Sequence, residues 1–296
     1  MGFSPSRFGV DGLKPSYELS SYFFIPPKEP TTMICAGIDA GSRTIKVVLL
    51  DADTLEILAT GLDDQGVEQD ALAQQLLDKL LAERGLHRAD IRYRVATGYG
   101  RRLVRIADET ITEITCQAWG VRHLVPDAAT IIDIGGQDSK LLRLNADGSV
   151  RDFVMNDRCA AGTGRFLEML ATQLAVRLTC LGDLARQSCN PAIISSMCVV
   201  FAETEIVGLL ATGTPPSDIV AGVQASMAAR VGAMAGRSVE APVVFTGGVA
   251  LVPGMDIALA STLGKPVSVA PDPQMTGALG AAVLAAASSA VQDKKL

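Results

Sequence analysis

Two stretches of the chain share one pattern of apolar and polar residues around a glycine turn. Ile38-Asp39-Ala40-Gly41 is followed by Lys46, and Ile132-Asp133-Ile134-Gly135 is followed by Lys140, so Asp, Gly and Lys keep one spacing in both copies. Apolar residues flank each turn, as is typical of a strand, a tight turn and a returning strand. The pattern therefore predicts two similar β-hairpins in two similar lobes.

Two later segments, from Arg165 and from Val199, have the apolar period of amphipathic helices, and each follows a cysteine. Apolar residues at 166, 167, 170 and 174 share a helical face after Cys159, and those at 206, 209 and 210 share one after Cys198. Near the C-terminus, the segment Thr276–Ala282 has small residues three or four positions apart. That spacing predicts a helix whose backbone packs closely against a neighbour.

Composition favours a large α/β protein with a core of small aliphatic residues. Of its 296 residues 48% are hydrophobic and only 4% aromatic, and 28 are glycine. The net charge is −6, and Lys and Arg are scattered, so no nucleic acid is expected to bind. No run reaches the roughly 18 apolar residues that cross a bilayer, so no membrane association is expected.

The first 32 residues carry five prolines and no signal-peptide core, so we expect a disordered or loosely docked extension, with Met33 as a candidate start. Six cysteines without a secretion signal indicate a reducing cytoplasm, where cysteines serve more often as ligands or reactive groups than in disulfides.

The duplicated turns have the chemistry of a phosphate site. Glycines without Cβ atoms let backbone N–H groups approach phosphate oxygens, and hydroxyl and lysine side chains add donors. The predicted nucleotide-binding set is Gly41, Ser42, Thr44, Lys46, Gly135 and Gly136. Asp39 and Asp133 are the expected Mg²⁺ carboxylates, acting through water, and Gln137 is expected to orient the attacking water. Two ordinary hairpins with solvated aspartates are the alternative, which the duplication disfavours.

A third glycine turn, Gly247-Gly248, follows the apolar run Val243-Val244-Phe245 and precedes a helical pattern, so it is the expected adenosine site. This set of segments, from Ile34 to Ala286, resembles the superfamily of actin, sugar kinases, acetate kinase and heat-shock chaperone ATPases. The resemblance implies an α/β fold of two ribonuclease-H-like lobes that close around Mg-ATP. The expected lobes are residues 33–127 and 128–275, and residues 276–296 form a helix that returns to the first lobe.

Cys159 and Cys198 each lie just ahead of a predicted helix. A helix N-terminus has partial positive charge and free N–H groups, which stabilise a thiolate or an anionic cluster. Two thiolates are half the ligand set of a [4Fe-4S] cluster, so a two-fold dimer could supply all four. The alternatives are that both are buried packing residues, or that one chain gathers Cys159, Cys180, Cys189 and Cys198.

Four motifs resemble the activators of 2-hydroxyacyl-CoA dehydratases and the ATP-binding subunits of benzoyl-CoA reductase. They span residues 96–101, 113–116, 156–167 and 198–205. The resemblance implies a homodimer that hydrolyses ATP and holds one [4Fe-4S] cluster through Cys159 and Cys198 of each subunit. It also implies a cluster-bearing acyl-CoA dehydratase or reductase component as partner and reduced ferredoxin or flavodoxin as donor.

The sequence departs from this family's pattern at Gln117, where the family commonly has histidine, which puts a proton or hydrogen-bond role there in doubt. Cys35 and Cys116 are expected in the core. Two other functions remain open from the residues: a small-molecule kinase of the same superfamily without a cluster, and a cluster-free nucleotide-dependent binding protein.

Overall fold

The apolar runs near the start of the described chain form a five-stranded mixed sheet. The structure, a computed structural model, describes residues 33–236 and 239–293, so the predicted extension at 1–32 lies outside the described residues. Strands β1 (Ile34–Ala40), β2 (Thr44–Asp51) and β3 (Ile57–Asp64) are antiparallel neighbours. β4 (Ile91–Thr97) pairs parallel to the other side of β1, and β5 (Glu109–Thr110) pairs parallel to β4.

A second sheet repeats this arrangement. β6 (Thr130–Ile134), β7 (Ser139–Leu144) and β8 (Val150–Asn156) are antiparallel neighbours, and β9 (Val243–Thr246) and β10 (Val267–Val269) continue in parallel from β6. The two strand orders, β3-β2-β1-β4-β5 and β8-β7-β6-β9-β10, are the same in topology. The prediction of two like units, made from two short hairpin motifs, is therefore confirmed at the level of whole sheets.

The hairpin register explains why Asp and Lys recur together. Asp39 lies opposite Lys46 across β1 and β2, and Asp133 lies opposite Lys140 across β6 and β7. Each turn is closed by a backbone hydrogen bond, 3.1 Å from the Gly41 N–H to the Thr44 carbonyl and 3.0 Å from Gly135 to Asp138. Directly paired residues point to the same face of a sheet, so each lysine accompanies its aspartate.

Helices cover the sheets and join them. The α-helices are α1 (Gln69–Glu83), α2 (Glu113–Leu124), α3 (Gly164–Gln173), α4 (Leu181–Ala185), α5 (Val199–Ala211), α6 (Pro216–Ala235), α7 (Met255–Leu263) and α8 (Thr276–Asp293). In the described ranges, none of these helices combines the length and hydropathy that a bilayer-spanning segment needs.

Helix α2 lies between the two sheets. Its Cys116 packs with α8 and the first sheet, whereas Ala118 and Val121 pack with Ile131 and Val244 of the second sheet. Helix α8, formed from the predicted small-residue segment, packs against the first sheet through its alanines. From residue 33 onwards the described chain is one compact unit, and the lobe boundary at residues 127 and 128 stays a prediction.

The helix predicted from Arg165 begins at Gly164, and a separate 3₁₀ turn that the sequence did not predict precedes it. Cys159 caps this 3₁₀ turn, Ala160–Gly162. Thr163 between them has an extended backbone (φ −134°, ψ 172°), which interrupts the helical path. Cys198, in contrast, is the N-cap residue of α5, as predicted.

The contact between α2 and α8 requires glycine. A Cβ built on Gly280 would lie 1.7 Å from the Cys116 carbonyl oxygen, and one on Gly120 would lie 1.8 Å from that of Thr276. These are backbone atoms of neighbouring helices, so no side-chain rotation can relieve the overlap. The two helices therefore approach at a distance that only glycine permits.

We predict that Gly280→Ala lowers the free energy of unfolding by about 3 kcal/mol or more, because the added methyl overpacks a backbone contact. Urea denaturation measures the change. Gly208→Ala is the matched control: Gly208 lies inside α5 and a methyl group there would meet nothing within 4 Å, so alanine is expected to be neutral or to stabilise by about 0.5–1 kcal/mol. Equal stability of the Gly280 variant and the parent protein would contradict the packing argument.

Candidate functional site

A cavity of about 350 Å³ opens between the two hairpin turns. Every residue predicted to contact nucleotide or Mg²⁺ lines it: Asp39, Gly41, Ser42, Thr44, Lys46, Asp133, Gly135, Gly136, Gln137, Gly247 and Gly248. These residues come from separate segments of the sequence. The fold brings together both phosphate-type turns and the third glycine turn around one space.

Carboxylates outnumber lysines at the centre of this cavity. The Lys46 ammonium lies 3.1 Å from Asp39, and the Lys140 ammonium lies 2.7 Å from Asp138 and 3.5 Å from both Asp133 and Glu113. Burial acts to lower the pKa of Lys140, but the three carboxylates outweigh it and raise that pKa, so the lysine stays cationic. Burial raises the pKa of Asp133 and of Glu113, against the opposing effect of Lys140.

Two of these acidic residues were not predicted as site residues. Glu113 is the first residue of α2, whose start is fixed by the N-cap hydroxyl of Thr112, which accepts from the Thr115 N–H. Asp138 directly precedes β7 at the end of the second turn. The helix-capping pattern at Thr112 could have located the helix start, but only the fold brings it beside Lys140.

A glycine with positive φ lies close to the carboxylate of each aspartate. Gly98 follows β4 with φ +88°, and a Cβ there would lie 2.3 Å from Asp39 Oδ1. Gly247 follows β9 with φ +85°, and a Cβ there would lie 2.6 Å from Asp133 Oδ1. Both glycines come directly after a buried threonine, Thr97 and Thr246. The duplication thus extends to a Thr-Gly pair at the end of the fourth strand of each sheet. The sequence contains this signal, but a comparison of the hairpins alone does not find it.

Gln117 makes the hydrogen bonds that the sequence put in doubt. Its side-chain amide donates to the hydroxyl of Thr246 at 2.5 Å and to that of Thr276 at 2.8 Å. The Thr246 hydroxyl in turn lies 3.3 Å from Asp133 Oδ1 and can donate to it. Gln117 therefore joins α2, the end of β9 and the start of α8, and it supports Asp133 through one hydroxyl.

The second turn is bonded to the start of α3. The backbone N–H of Gly164 donates to the Gly135 carbonyl at 2.8 Å, and that of Arg165 donates to the Gly136 carbonyl at 3.1 Å. Across the cavity mouth, Arg43 of the first turn forms a 3.1 Å ion pair with Glu168 of α3. Any displacement of this turn is thus transmitted to the helix that follows Cys159.

Cys159 and Cys198 lie on adjoining loops. The Cys159 thiol donates to the carbonyl of Met197, the residue before Cys198, at 3.6 Å. Cys159 is half-buried and Cys198 is exposed. The amide side chain of Asn156 holds the first loop by accepting from the Cys159 N–H at 3.1 Å and donating to its carbonyl at 2.9 Å. Neither cysteine is fully buried, although Cys159 packs partly against the core of the second sheet.

The remaining cysteines divide into two groups. Cys35 and Cys116 are fully buried, as expected, and burial raises the pKa of Cys116 to about 12. Cys180 is half-buried and Cys189 exposed. Within residues 33–236 and 239–293, no three Cys, His, Asp or Glu side chains gather as a metal-binding group. The four-cysteine set within one chain is thus not assembled in this structure.

Large apolar side chains close to Cys198 in sequence are exposed on the surface. The exposed set comprises Ile193 (86%), Met197 (76%), Val200 (67%), Phe201 (69%) and Val207 (47%). Three of them belong to α5, whose opposite face packs into the core through Ala202 and Ile206. An exposed group of this kind, on a helix that is apolar on both sides, is typical of an interaction surface.

Glu205 of α5 holds the loop before Cys198. It accepts hydrogen bonds from the N–H and hydroxyl of Ser195 at 2.8 and 2.7 Å and from the Ser196 N–H at 2.9 Å. Burial acts to raise the pKa of Glu205, but these bonds favour the carboxylate and lower the pKa from its ordinary 4.5 to about 2.

The chain is similar to proteins of known role. The sequence profile of the BadF/BadG/BcrA/BcrD ATPase family matches residues 36–285. The activator of lactoyl-CoA dehydratase from Anaerotignum propionicum is 46% identical over 258 residues, which cover 86% of this chain and 97% of that protein. One of the benzoyl-CoA reductase subunits from Thauera aromatica is 34% identical, covering 84% of this chain and 92% of that protein.

Solved structures agree with the fold. The activator of the 2-hydroxyisocaproyl-CoA dehydratase from Clostridium difficile, with bound ADPNP, has a TM-score of 0.84 at 40% identity and covers 89% of this chain and 98% of that chain. A ROK hexokinase from Thermus thermophilus shares the fold alone, with a TM-score of 0.52 at 16% identity, covering 88% of this chain and 100% of that chain. The α/β fold of the actin, sugar kinase and heat-shock ATPase superfamily, predicted from the sequence, is confirmed.

We predict that Gln117→Leu lowers the free energy of unfolding by about 1–3 kcal/mol, because two buried hydroxyls lose their donor. It should also lower kcat for ATP hydrolysis, because Asp133 loses its support through Thr246. Urea denaturation and a phosphate-release assay measure both. Gln117→His keeps an N–H donor and should recover part of each loss. A leucine variant that matches the parent protein in both assays would refute the hydrogen-bonded chain from Gln117 through Thr246 to Asp133.

We predict that Glu205→Gln destabilises the protein most at neutral pH. The carboxylate's hydrogen bonds contribute fully above pH 4.5 and are lost as the pH falls towards 2, so the difference in free energy of unfolding between parent and variant should narrow over that range. Denaturation series at several pH values test this. Ser195→Ala removes one of the three donors and should give a smaller difference; a gap that does not change with pH would contradict the assignment.

Proposed function

The chain belongs to the BadF/BadG/BcrA/BcrD ATPase family, and from this premise we propose that it is the ATP-hydrolysing activator of a 2-hydroxyacyl-CoA dehydratase. In this proposal two copies form a homodimer that shares one [4Fe-4S] cluster and delivers a low-potential electron to the dehydratase. The observation that carries it is the pair of backbone hydrogen bonds from Gly164 and Arg165 to the turn at Gly135 and Gly136, since these join a phosphate-type turn to the segment that follows Cys159.

ATP is proposed to occupy the cavity between the turns. Backbone N–H groups of both glycine turns, with Ser42, Thr44 and Lys46, hold its phosphates, and the adenosine lies against Gly247-Gly248. The carboxylates there are oxygen donors of the kind that Mg²⁺ takes, so they fit the ion, with Asp39 and Asp133 holding it through water. Gln137 orients the attacking water, because a neutral amide does not repel the terminal phosphate.

The thiols of Cys159 and Cys198 fit half of a cluster's ligand set. Both are accessible, and Cys159 Sγ contacts the residue beside Cys198, so the pair can act as one unit. The exposed apolar residues of α5 supply the surface through which a second copy completes the set. Such a cluster supplies one-electron transfer at a potential set by charge, hydrogen bonding and solvent exposure.

Nucleotide binding is proposed to close the lobes at residues 33–127 and 128–275, with the helix of 276–296 packed on the first. ATP can do work only if it binds the closed arrangement more tightly than the open one. The ion pair between Arg43 and Glu168 joins the first turn to α3, so it is a contact that lobe movement must strain or re-form. Closure then moves α3 and the loops that hold the two cysteines.

The partner is proposed to be a cluster-bearing dehydratase component, with reduced ferredoxin or flavodoxin as donor, in the cytoplasm. One observation favours a second candidate, the ATP-binding component of a benzoyl-CoA reductase: the 34% identity with a subunit of that enzyme. In that case the second member of the dimer is a related chain rather than a copy. A small-molecule kinase without a cluster is the further alternative, and iron analysis separates it from both.

We predict that Cys159→Ser and Cys198→Ser abolish iron binding in anaerobically purified protein but preserve nucleotide binding. Asp39→Ala and Asp133→Ala should do the reverse. The parent protein should hold about four iron and four sulfide per dimer. Metal and sulfide analysis and ATP titration measure these outcomes.

Cys189→Ser is the matched control, because Cys189 is an exposed cysteine outside both motifs, and its iron content should equal that of the parent protein. Iron-free parent protein that phosphorylates a metabolite would replace this proposal with the kinase. Parent-like iron in both cysteine variants would refute the ligand assignment.

A further inference from the structure

Arg230 of α6 lies against both cysteine-bearing loops. Its Nη2 donates to the carbonyl of Ser196 at 3.2 Å, and Ser196 precedes Cys198 by two residues. Its Cδ lies 3.7 Å from the position of a Cβ on Gly162, which follows Cys159 by three residues. One arginine, distant from both loops in sequence, therefore hydrogen-bonds to one of them and lies beside the other.

The Arg230 guanidinium and the Cys159 thiol donate hydrogen bonds to the carbonyls of two consecutive residues. The Ser196 carbonyl accepts from Arg230, and the next carbonyl, that of Met197, accepts from the Cys159 thiol at 3.6 Å. Consecutive Cα atoms are about 3.8 Å apart, so the cation lies within a few such steps of Cys159 and of Cys198. At this range, at a partly solvated site, a unit charge still affects a neighbouring charged group.

Arg230 lacks an anionic partner in the described part of the chain. Its guanidinium has one hydrogen bond there, to Ser196, and its Nε is shielded from solvent without any partner. None of the ion pairs formed by residues 33–236 and 239–293 includes it. Arg230 as a whole is half-buried, but its shielded and unpaired Nε–H favours a negative charge nearby.

We propose that Arg230 compensates the negative charge of the thiolate-bound iron-sulfur group and thereby sets its reduction potential. The inference rests on the proposed function, because Cys159 and Cys198 must hold that group. Four thiolates around a [4Fe-4S] core give a net anion, and reduction adds one more negative charge. A fixed cation beside the loops favours the reduced form, so it raises the potential. Arg230 is thus a positioning residue that acts through charge.

The test compares Arg230→Gln, Arg230→Lys and Arg88→Gln with the parent protein. Arg88 is exposed and paired with Asp78 beside the first sheet, so its replacement removes the same charge from the chain but not from the cysteine loops. The readout is the midpoint potential, from a redox titration followed by electron paramagnetic resonance on anaerobic protein without the partner enzyme. Iron content and ATP binding are measured on the same samples.

Arg230→Gln should make the midpoint potential more negative by about 59 mV. For one electron, this shift corresponds to about a tenfold rise in the ratio of oxidised to reduced cluster at a fixed potential. Arg230→Lys keeps the charge without the planar fork and should shift the potential less. Arg88→Gln should match the parent protein. If the glutamine variant folds and binds ATP but holds no iron, retention of iron and of a near-parental potential by the lysine variant supports the charge role.

A glutamine variant with full iron content and the parental potential would overturn the inference and leave the proposed function intact. Loss of iron from both Arg230 variants alike would overturn it as well, because a charge-conserving replacement should then have held the cluster. Absence of iron and sulfide from the parent protein would instead refute the proposed function, and this inference with it.

Discussion

The site depends on how each of two aspartates is enclosed. Asp39 and Asp133 are each the second-last residue of the first strand of their sheets, with a lysine directly across the hairpin and a positive-φ glycine next to the carboxylate. The glycines are required because a methyl group at either position would overlap the carboxylate. This enclosure repeats in both sheets, so the fold presents two carboxylates and two open glycine turns to one cavity. Everything else in the site is arranged around that pair.

The route from this cavity to the cysteines is short and made largely of backbone. Carbonyls of the second turn accept from the first residues of α3, and the extended residue Thr163 separates α3 from the 3₁₀ turn that Cys159 caps. Backbone hydrogen bonds between rigid elements cannot stretch far, so movement of the turn must move the helix. Glu205 holds the loop before Cys198 to α5, while Arg230 hydrogen-bonds to the same loop and lies beside the loop of Cys159. The two cysteines are thus not fully buried, and hydrogen bonds hold the loops that carry them.

The sequence predicted much of the site because the informative patterns are local. A strand, a glycine turn and a returning strand occupy few residues, so the spacing of Asp39 and Lys46 reports directly on their pairing, and the same holds for Asp133 and Lys140. Apolar period likewise placed α3 and α5 and the cysteines before them. Local reasoning missed the 3₁₀ turn after Cys159, because a turn of three residues is too short to show an apolar period.

What the sequence alone determined is therefore the duplicated fold, the glycine turns with their aspartates, and two cysteines ahead of helices, since each follows from contacts between residues near in the chain. Tertiary structure decided which distant side chains complete these sites. Gln117 bonds to Thr246 and Thr276, 129 and 159 residues away, and Arg230 reaches a loop 34 residues behind it. No periodic pattern in the sequence predicts such partners, because their proximity depends on how whole helices pack between the sheets and not on any spacing along the chain.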